Sequence, residues 1–426
     1  MNYLPRITDK ILKQKMDAFG AVLIEGPKGC GKTTTAKQIA KDVIEFQNED
    51  VREELLSVAE NMPSQLLKGE KPILFDEWQD APKIWGAVRK AIDDHQEVGA
   101  YILTGSSSAS IETPHTGTGR ISTMKMYTMS LFESEESNGS VSLNDLFNNE
   151  SSFSGCVSSL SFDDLVFAIC RGGWPRTMSL QTDNAKLLIA EDIFHQTYKV
   201  DINRISHIDR NPDIAKALML SYSRNLCTLA SSRTIYGDVQ KEGKPVDVTL
   251  NGYIDDLKKL NIIEDVNAWS PAIRSKTAIR SSEKRNYVDP SIAVSALGLS
   301  PEYFRKDFKT LGFLFECLAI RDLKIYSQEN GGTVSYYRDR YGLEADCVLH
   351  LKDGRYALIE FKLGEAQIEE GAAHLNKIVE LLKRYNVHET QCPIRLPDLR
   401  IIITGTKYGY RRDDGVLVIP IGCLKN

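Results

Sequence analysis

The chain has few of the features that mark secreted, membrane-spanning or disulfide-rich proteins. Its eight cysteines are scattered and none forms a C-x-x-C pair, so the sequence suggests neither zinc ligation nor a disulfide framework. No apolar run is long enough to span a bilayer, and the start of the chain, Met1–Arg6, lacks the apolar core of a signal peptide. A reducing, cytoplasmic setting without membrane contact is therefore the expectation.

The chain also lacks an excess of positive charge. Its net charge of −5 excludes a uniformly basic coat for nucleic acid, although a local basic patch is still compatible with it. Its apolar and charged fractions, 42% and 26%, are ordinary for a soluble globular protein. At 426 residues one domain is too few, and two or three are expected.

One glycine-rich motif near the start of the chain predicts a phosphate-binding loop. It has the form G-x-x-x-x-G-K-[ST], follows the apolar strand Ala21–Ile24 and precedes a helix predicted from Thr33 to about Glu45. The predicted nucleotide contacts are Gly26, Pro27, Lys28, Gly29, Cys30, Gly31, Lys32, Thr33 and Thr34. The glycines let backbone N–H groups surround phosphates, Lys32 reaches the β- and γ-phosphates, and the Thr33 hydroxyl binds Mg²⁺. The motif predicts a site for ATP and Mg²⁺, and a plain glycine turn is the alternative.

Two acids follow the next buried strand, Lys71–Phe75. Asp76 is predicted to orient Mg²⁺, and Glu77 to polarise the water that attacks the γ-phosphate. The alternative is an acidic strand end that is simply exposed to solvent.

Two further groups complete the predicted hydrolytic site. The strand Ala100–Thr104 leads to Ser106 and Ser107, whose hydroxyls either sense the γ-phosphate or cap a turn. Arg120 ends the glycine-containing stretch that begins at Gly117. An arginine there stabilises charge on the transferring phosphoryl group and often comes from a neighbouring subunit, which would make the protein a homo-oligomer. A solvated surface arginine is the alternative.

The order of helix and strand signals predicts three domains. Signals alternate up to about residue 130, which favours a parallel α/β sheet. Residues 133–161 are rich in Ser, Asn and Glu and predict a long solvated loop or linker. The pattern from Phe162 to about Ala296 is mostly helical, and from Leu311 the predicted order is α-β-β-β-α-β. The expected domains are 1–160, 161–300 and 301–426.

The middle part carries a candidate DNA-binding element. An amphipathic segment, 248–260, leads into a Ser-rich ribbon that ends near Tyr287, which is the order of a winged helix. Basic residues cluster there: Lys258, Lys259, Arg274, Lys276, Arg280, Lys284 and Arg285. Such clusters bind the phosphate backbone of DNA, with Trp269 and Tyr287 as candidates for stacking. A solvated ribbon with aromatic residues in the core is the alternative.

A second set of acids lies in the C-terminal part. Asp346 is on one predicted strand, and Glu360 and Lys362, about fourteen residues later, share one face of the next strand. Two acids can hold Mg²⁺ and a lysine beside them can activate water, with Glu316 on the preceding helix as a candidate further ligand. The pattern predicts metal-assisted phosphodiester hydrolysis. A charged pair that solvates a strand face is the alternative.

Together these motifs resemble a large group of bacterial and archaeal AAA-type ATPases joined to a C-terminal domain of unknown function that is similar to PD-(D/E)XK nucleases. The resemblance covers nearly the whole chain and is carried by GPKGCGKTT, ILFDEWQDAP, ILTGSSS, TGR, SLFE, RGGWP and YKVDINRI. It implies a P-loop AAA-type sheet domain, a helical winged-helix-like middle and a restriction-endonuclease-like α/β end.

The resemblance also implies roles for residues. It implies that the sensor is Ser106 or Ser107 and that Arg120 is the arginine finger, while Arg204 lies in the last of the quoted stretches. The expected function is an ATP-hydrolysing switch or motor that binds or processes DNA. The alternative is an ATP-controlled binding module with a catalytically inactive nuclease fold.

Overall fold

The computed structural model describes residues 3–105, 116–205, 209–240, 247–271, 282–339, 341–388 and 393–426. The helices of these segments are α1 (Ile7–Met16), α2 (Lys32–Lys37), α3 (Arg52–Asn61), α4 (Lys83–His95), α5 (Leu143–Asn148), α6 (Phe162–Arg171), α7 (Asp183–Gln196), α8 (Ile202–Ile205), α9 (Pro212–Arg224), α10 (Ser232–Gln240), α11 (Asp247–Lys259), α12 (Pro290–Leu297), α13 (Pro301–Phe304), α14 (Phe308–Ser327) and α15 (Ile368–His388). The strands are β1 (Ala21–Glu25), β2 (Asp42–Glu45), β3 (Ile73–Asp76), β4 (Tyr101–Gly105), β5 (Ile121–Lys125), β6 (Val141–Ser142), β7 (Cys156–Val157), β8 (Thr333–Arg338), β9 (Glu344–His350), β10 (Tyr356–Lys362), β11 (Leu399–Thr404), β12 (Tyr408–Arg411), β13 (Leu417–Pro420) and β14 (Leu424–Lys425).

The N-terminal part is a parallel sheet with the order β2-β3-β4-β1-β5. The four apolar residues Ala21–Ile24 of β1 are all buried, because helices cover both faces of the sheet. One face packs against α4, and the other packs against α1 and α2. This confirms the expected parallel α/β sheet, and it places the glycine loop at the carboxyl edge of the strands, where ligands bind in such sheets.

One element of this domain was predicted wrongly. The helix expected from Thr33 to about Glu45 ends at Lys37, and Asp42–Glu45 is the edge strand β2, paired in parallel with β3. The backbone N–H groups of Lys41 and Asp42 donate to the carbonyl of Pro72, which directs the chain along the sheet edge. The hydrogen bonds of a neighbouring strand thus override the local helix preference.

The solvated loop predicted over residues 133–161 is also wrong, because this segment is packed. Val141, Leu143 and Leu146 are buried, β6 pairs with β14, and β7 pairs with β12 of the C-terminal sheet. Its serines satisfy backbone groups, as when the Ser137 hydroxyl donates to the carbonyl of Leu424 at 2.6 Å. Small polar side chains therefore form hydrogen bonds inside the protein here, although the composition of the segment is typical of a linker.

The middle part is mainly helical, as expected. A π-helical turn, Thr197–Asp201, joins α7 to α8. Helices α9, α10 and α11 are followed by an antiparallel ribbon, in which Ile263 faces Tyr287 and Val266 faces Lys284. The predicted order of an amphipathic helix and then a ribbon is therefore present.

The C-terminal part is a mixed sheet with the order β7-β12-β13-β11-β10-β9-β8. Strands β10, β11 and β13 are parallel, and β8, β9 and β12 pair antiparallel to their neighbours. The apolar residues of β10 alternate, so that Ala357 and Ile359 pack on the α14 side and Leu358 packs on the α15 side. The predicted order α-β-β-β-α-β is confirmed. Within the described segments, no helix is both long and apolar enough to cross a membrane.

Candidate nucleotide site and C-terminal acid cluster

The glycine loop between β1 and α2 has the backbone shape that requires glycine. Gly31 has φ = 104°, in the left-handed region that side chains disfavour, and a Cβ at Gly26 would lie 2.2 Å from the carbonyl oxygen of Met126. Lys32 is buried, and its ammonium group donates to the carbonyls of Gly26 at 2.9 Å and Pro27 at 3.0 Å. The loop therefore holds the Lys32 ammonium directly over its own backbone.

The predicted magnesium ligands meet at the end of β3. The Thr33 hydroxyl donates to Oδ1 of Asp76 at 2.6 Å, and the Thr104 hydroxyl donates to the same oxygen at 2.5 Å. Thr104 is the parallel partner of Asp76 on β4, so sheet pairing sets this contact. A hydroxyl and a carboxylate are the hard oxygen ligands that Mg²⁺ prefers, and these residues fit the ion that the motif implies.

Glu77 follows Asp76 and has an unusual backbone conformation. Its φ of +55° lies in the left-handed region, which typically costs about 1–3 kcal/mol for a residue other than glycine. Burial raises the pKa of the Glu77 carboxyl, and Asp76 raises it further, whereas Gln79 and Lys32 act in the opposite direction. The Gln79 amide donates to the Glu77 carboxylate and orients it. A carboxylate with a raised pKa is suited to accept a proton near neutral pH.

Two cavities meet at this loop. One, of about 500 Å³, is lined by Lys32, Thr33 and Thr34 together with Leu4 and Pro175. The other, of about 570 Å³, lies between the loop and the π-helical turn, and its lining includes Glu77, Asp201 and Arg204. Lys28 lines both cavities, and its ammonium group lies 3.2 Å from the carboxylate of Asp201. The loop therefore lies at the interface between the sheet domain and the helical middle.

Sequence reasoning missed Arg6, which is fixed to the glycine loop. Its guanidinium donates to the carbonyls of Cys30 and Tyr127, both at 2.9 Å, and lies 3.1 Å from the Glu133 carboxylate. Both charged side chains are almost fully buried. Arg6 stands outside every motif, so the sequence offers no local signal for this contact.

The structure does not bring Arg120 to this site. Arg120 immediately precedes β5, its carbonyl accepts from the N–H of Ala21 at the start of β1, and its side chain pairs with Asp93 at 2.7 Å. The glycine loop follows the other end of β1, roughly 16 Å away for a five-residue strand. Arg120 is thus on the opposite edge of the sheet from the loop of its own chain. Ser106 and Ser107, the predicted sensors, lie outside the described residues.

The C-terminal acids predicted to act together are neighbours. Glu360 on β10 is 1% exposed, and its Oε2 lies 2.8 Å from the Lys362 ammonium. Asp346 on β9 is beside them, because its Oδ2 accepts the backbone N–H of Phe361 at 3.0 Å. Nδ1 of His374, on α15, is 4.0 Å from Glu360 Oε2.

A residue predicted to be part of a basic surface completes this cluster. Lys284, from the ribbon of the middle part, is 5% exposed, and its ammonium group donates to Glu316 on α14 at 2.6 Å. The same ammonium lies 4.0 Å from Oδ1 of Asp346 and 3.4 Å from the Asp346 backbone carbonyl oxygen. Burial raises the pKa of Glu316 to about 7 against the opposing effect of Lys284, and burial together with Asp346 raises the pKa of Glu360 to about 8.

The cluster does not fit the Mg²⁺ ion that the sequence pattern implies. Two of its three carboxylates, those of Glu316 and Glu360, are in close contact with lysine ammonium groups, and Asp346 accepts a backbone hydrogen bond. Throughout the described part of the chain, no group of three or more His, Cys, Asp or Glu side chains is arranged to hold a metal ion. The Glu360 Oε1 atom is buried and has no hydrogen-bond partner among the described residues.

The predicted basic surface of the middle part is largely neutralised where it is described. Lys258 pairs with Asp265 and Glu283, and Arg285, which is 7% exposed, also pairs with Asp265. Lys259 lies 3.7 Å from a carboxylate oxygen of Asp256. Arg274, Lys276 and Arg280 lie outside the described residues.

The two aromatic residues considered for stacking on DNA both pack against other parts of the protein, Tyr287 fully buried and Trp269 partly buried. Tyr287 is fully buried, and the Trp269 ring lies 4.7 Å from that of Tyr356 in the C-terminal sheet. The alternative of a core aromatic therefore holds for Tyr287, whereas Trp269 lies at the margin of the C-terminal core.

Three family models match successive parts of the chain. An AAA domain model matches residues 18–135, a domain of unknown function (DUF8612) matches 162–303, and a second domain of unknown function (DUF4143) matches 311–424. Among curated proteins, none matches. The residues matched by the AAA domain model, 18–135, include the glycine loop and Asp76, so this match and the geometry of the site agree.

Several solved structures are similar over much of the chain at 13% identity. The Walker-type ATPase PABY2304 of Pyrococcus abyssi has a TM-score of 0.43 over 68% of this chain and 94% of that chain. The replication initiator DnaA bound to AMPPCP and single-stranded DNA has a TM-score of 0.28 over 61% and 89%. Drosophila ORC bound to DNA has a TM-score of 0.17 over 68% and 85%.

Proposed function

We propose that this chain hydrolyses ATP with Mg²⁺ at the glycine loop and uses the reaction to control its middle and C-terminal parts. The observation that carries the proposal is the contact of the Thr33 hydroxyl with Asp76, beside the buried Lys32 ammonium and the Glu77 carboxylate. These groups match the four tasks of triphosphate hydrolysis, which are phosphate binding, metal coordination, metal orientation and water activation.

Each residue then has a definite part in the reaction. Backbone N–H groups of the loop and the Lys32 ammonium would bind the β- and γ-phosphates, and Thr33 and Asp76 would hold the magnesium ion. Bound Mg²⁺ neutralises phosphate charge. Glu77 accepts a proton from the attacking water as its oxygen bonds to the γ-phosphorus and the bond to the β,γ-bridging oxygen breaks.

The second cavity suggests how the nucleotide would act on the rest of the chain. Lys28 of the loop contacts Asp201, and Arg204 lines the same cavity one turn further on. A γ-phosphate near the loop would attract Arg204 and compete with Asp201 for Lys28, because both are electrostatic contacts. The helical middle would therefore move when the nucleotide changes from triphosphate to diphosphate.

We further propose that the middle part is winged-helix-like, that the C-terminal sheet is nuclease-like, and that both contact DNA. Helices α9–α11 followed by a ribbon support the first assignment, and Asp346 beside Glu360 and Lys362 on neighbouring strands supports the second. The alternative is an ATP-controlled binding module without cleavage activity. The ion-paired state of the acid cluster favours this alternative for the arrangement described here.

ATP turnover with and without DNA tests the proposal, on the wild type and on Lys32→Ala. The wild type should hydrolyse ATP, and Lys32→Ala should lose both nucleotide binding and turnover. Lys90→Ala, on the exposed face of α4, is the matched control and should keep both. Stimulation by DNA would support DNA processing. Wild-type turnover that is indifferent to DNA, with plasmid left intact in Mg²⁺ or Mn²⁺, would support the binding module, and a wild type that binds no nucleotide would refute the ATPase.

A further inference from the structure

The buried lysine at the C-terminal acid cluster comes from a different part of the chain than the acids. Lys284 belongs to the ribbon of the middle part, where its backbone N–H and carbonyl both pair with Val266. Its side chain leaves the ribbon and passes the Tyr336 ring, with the ammonium nitrogen 5.8 Å from the ring centroid. It then reaches Glu316 and Asp346. One side chain thus joins the middle segment to the candidate metal site.

The charges of the cluster favour a lysine at this place. Three carboxylates, those of Glu316, Asp346 and Glu360, lie in a mostly buried space, where each uncompensated charge is costly. Lys362 neutralises one of them, Glu360, and Lys284 supplies the second positive charge, next to the other two. The free Glu360 Oε1 atom, buried and without a hydrogen-bond partner among the described residues, leaves one acceptor of the cluster unused.

We propose that Lys284 is an internal cation that occupies the acid cluster in place of a divalent metal, so that the middle segment decides whether the cluster can bind Mg²⁺ or Mn²⁺. A divalent ion bound by Glu316 and Asp346 would have to displace the Lys284 ammonium, because both cations need the same oxygens and repel each other. This inference goes beyond the proposed ATPase and is independent of nucleotide binding.

Binding of Mn²⁺ to the full chain without nucleotide or DNA tests the proposal. Electron paramagnetic resonance would count bound Mn²⁺ per chain in the wild type, in Lys284→Met and in the double variant Lys284→Met/Glu360→Gln. The expected result is one additional bound ion in Lys284→Met compared with the wild type, and loss of that ion in the double variant. Lys352→Met, which removes an exposed lysine of the same domain, should bind as the wild type does.

Loss of the lysine can also destabilise the protein, because Glu316 then loses its partner. A second variant, Lys284→Met/Glu316→Gln, removes both charges of the pair and keeps the approximate shapes of the two side chains. Proteins often tolerate the replacement of a buried ion pair by uncharged side chains of similar volume. It leaves Asp346 and Glu360 as ligands and should also gain Mn²⁺ binding, seen as a larger rise of the unfolding temperature with added Mn²⁺ than the wild type shows.

Two results would overturn the proposal. The first is a wild type that already binds Mn²⁺ at this cluster, with binding lost in Glu360→Gln. The second is a folded variant without Lys284 that gains no ion, which would mean that the acids form no cation site at all. Neither result depends on ATP turnover, so these experiments do not test the ATPase proposal.

Discussion

The Thr33 hydroxyl donates a 2.6 Å hydrogen bond to Asp76, which links the first turn of α2 to the end of β3. Replacing Thr33 with valine keeps the shape of the side chain and removes this bond and the metal ligand together. We expect the Mg²⁺ concentration for half-maximal ATP turnover to rise on the order of 10–100-fold. Thr123→Val, at an exposed position of β5, is the control and should leave the Mg²⁺ dependence unchanged.

Glu77→Gln should separate binding from hydrolysis. The amide keeps the size of the side chain but cannot accept the proton of water, so turnover should fall on the order of 10²–10⁴-fold. ATP affinity should stay near the wild-type value, because Glu77 does not form the phosphate-binding loop. Equilibrium binding of a labelled nucleotide and steady-state turnover measure the two quantities. If Glu77→Gln hydrolyses ATP at the wild-type rate, Glu77 is not the base.

Arg120 can reach a nucleotide only from another copy of the chain, because it lies on the edge of the sheet away from its own glycine loop. We expect Arg120→Ala to bind ATP and to lose turnover. Mixing it with Glu77→Gln should restore turnover that neither variant has alone, since the Glu77→Gln subunit supplies Arg120 to a site with an intact Glu77.

One outcome would contradict a role for Arg120 in ATP turnover. If Arg120→Ala alone turns over ATP as the wild type does, Arg120 is a surface charge that pairs with Asp93. Arg89→Ala is a suitable control, because Arg89 also contacts Asp93 and lies on α4, outside the nucleotide site.

Arg6→Met should destabilise the protein, because it leaves the buried Glu133 carboxylate without its partner. The expected loss in the free energy of unfolding is about 3–5 kcal/mol. The affinity for ATP should fall as well, since the Cys30 carbonyl of the loop loses its anchor. Urea unfolding measures the first effect. Arg6→Met/Glu133→Gln removes both charges and should recover part of the stability, because the amide keeps one of the two oxygens that accept from the N–H groups of Ile7 and Ser130. An equal loss in both variants would contradict the ion-pair explanation.

Glu264 provides a prediction about pH. Its carboxylate lies 2.9 Å from the Lys125 ammonium and 3.1 Å from the Lys324 ammonium, and so joins the N-terminal sheet to α14. Burial raises the pKa of Glu264, but the two lysines outweigh it and the net pKa is lowered. Because the folded pKa is below the unfolded one, this stabilisation is present above the ordinary pKa of glutamate and is lost as the pH falls through the folded value.

Glu264→Gln should therefore lower the free energy of unfolding at pH 7 by about 1.5–3 kcal/mol. The difference from the wild type should shrink when the pH is lowered below about 4.5, where the wild-type carboxylate in the unfolded chain becomes protonated. Urea unfolding at several pH values measures this. Glu380→Gln, at an exposed position of α15, should show no such pH dependence.

The parts of the structure that the sequence predicted well are those set by short-range rules. Lys32 and Thr33 follow from the strand–loop–helix motif, and Asp76 joins them because the parallel strands of one sheet end at the same edge. Asp346 and Glu360 were predicted to lie on consecutive strands, and the structure pairs β9 with β10 and joins Asp346 to the residue after Glu360. In both cases the position of a residue on its strand determines which other residues it lies near in the fold.

The parts that the sequence predicted badly depend on distant partners. The edge strand Asp42–Glu45 is only four residues long and half-exposed, so its own residues carry little strand signal. Lys284 and Arg285 look like surface charges in a basic, Ser-rich stretch, yet both are buried beside acids. The partner of Lys284 is Glu316 on α14, and that of Arg285 is Asp265 on the other strand of the ribbon. Neither periodicity nor local composition encodes such pairings.

Within the described segments, the strand partners of β6 and β7 are β14 and β12, and the Ser137 hydroxyl donates to a carbonyl 287 residues further along the chain. During synthesis, the segment that follows the N-terminal sheet must therefore wait until most of the polypeptide has left the ribosome before it can pair. Its abundance of serine and asparagine keeps a waiting, unpaired stretch hydrated, so a composition typical of a linker protects the nascent chain from premature association.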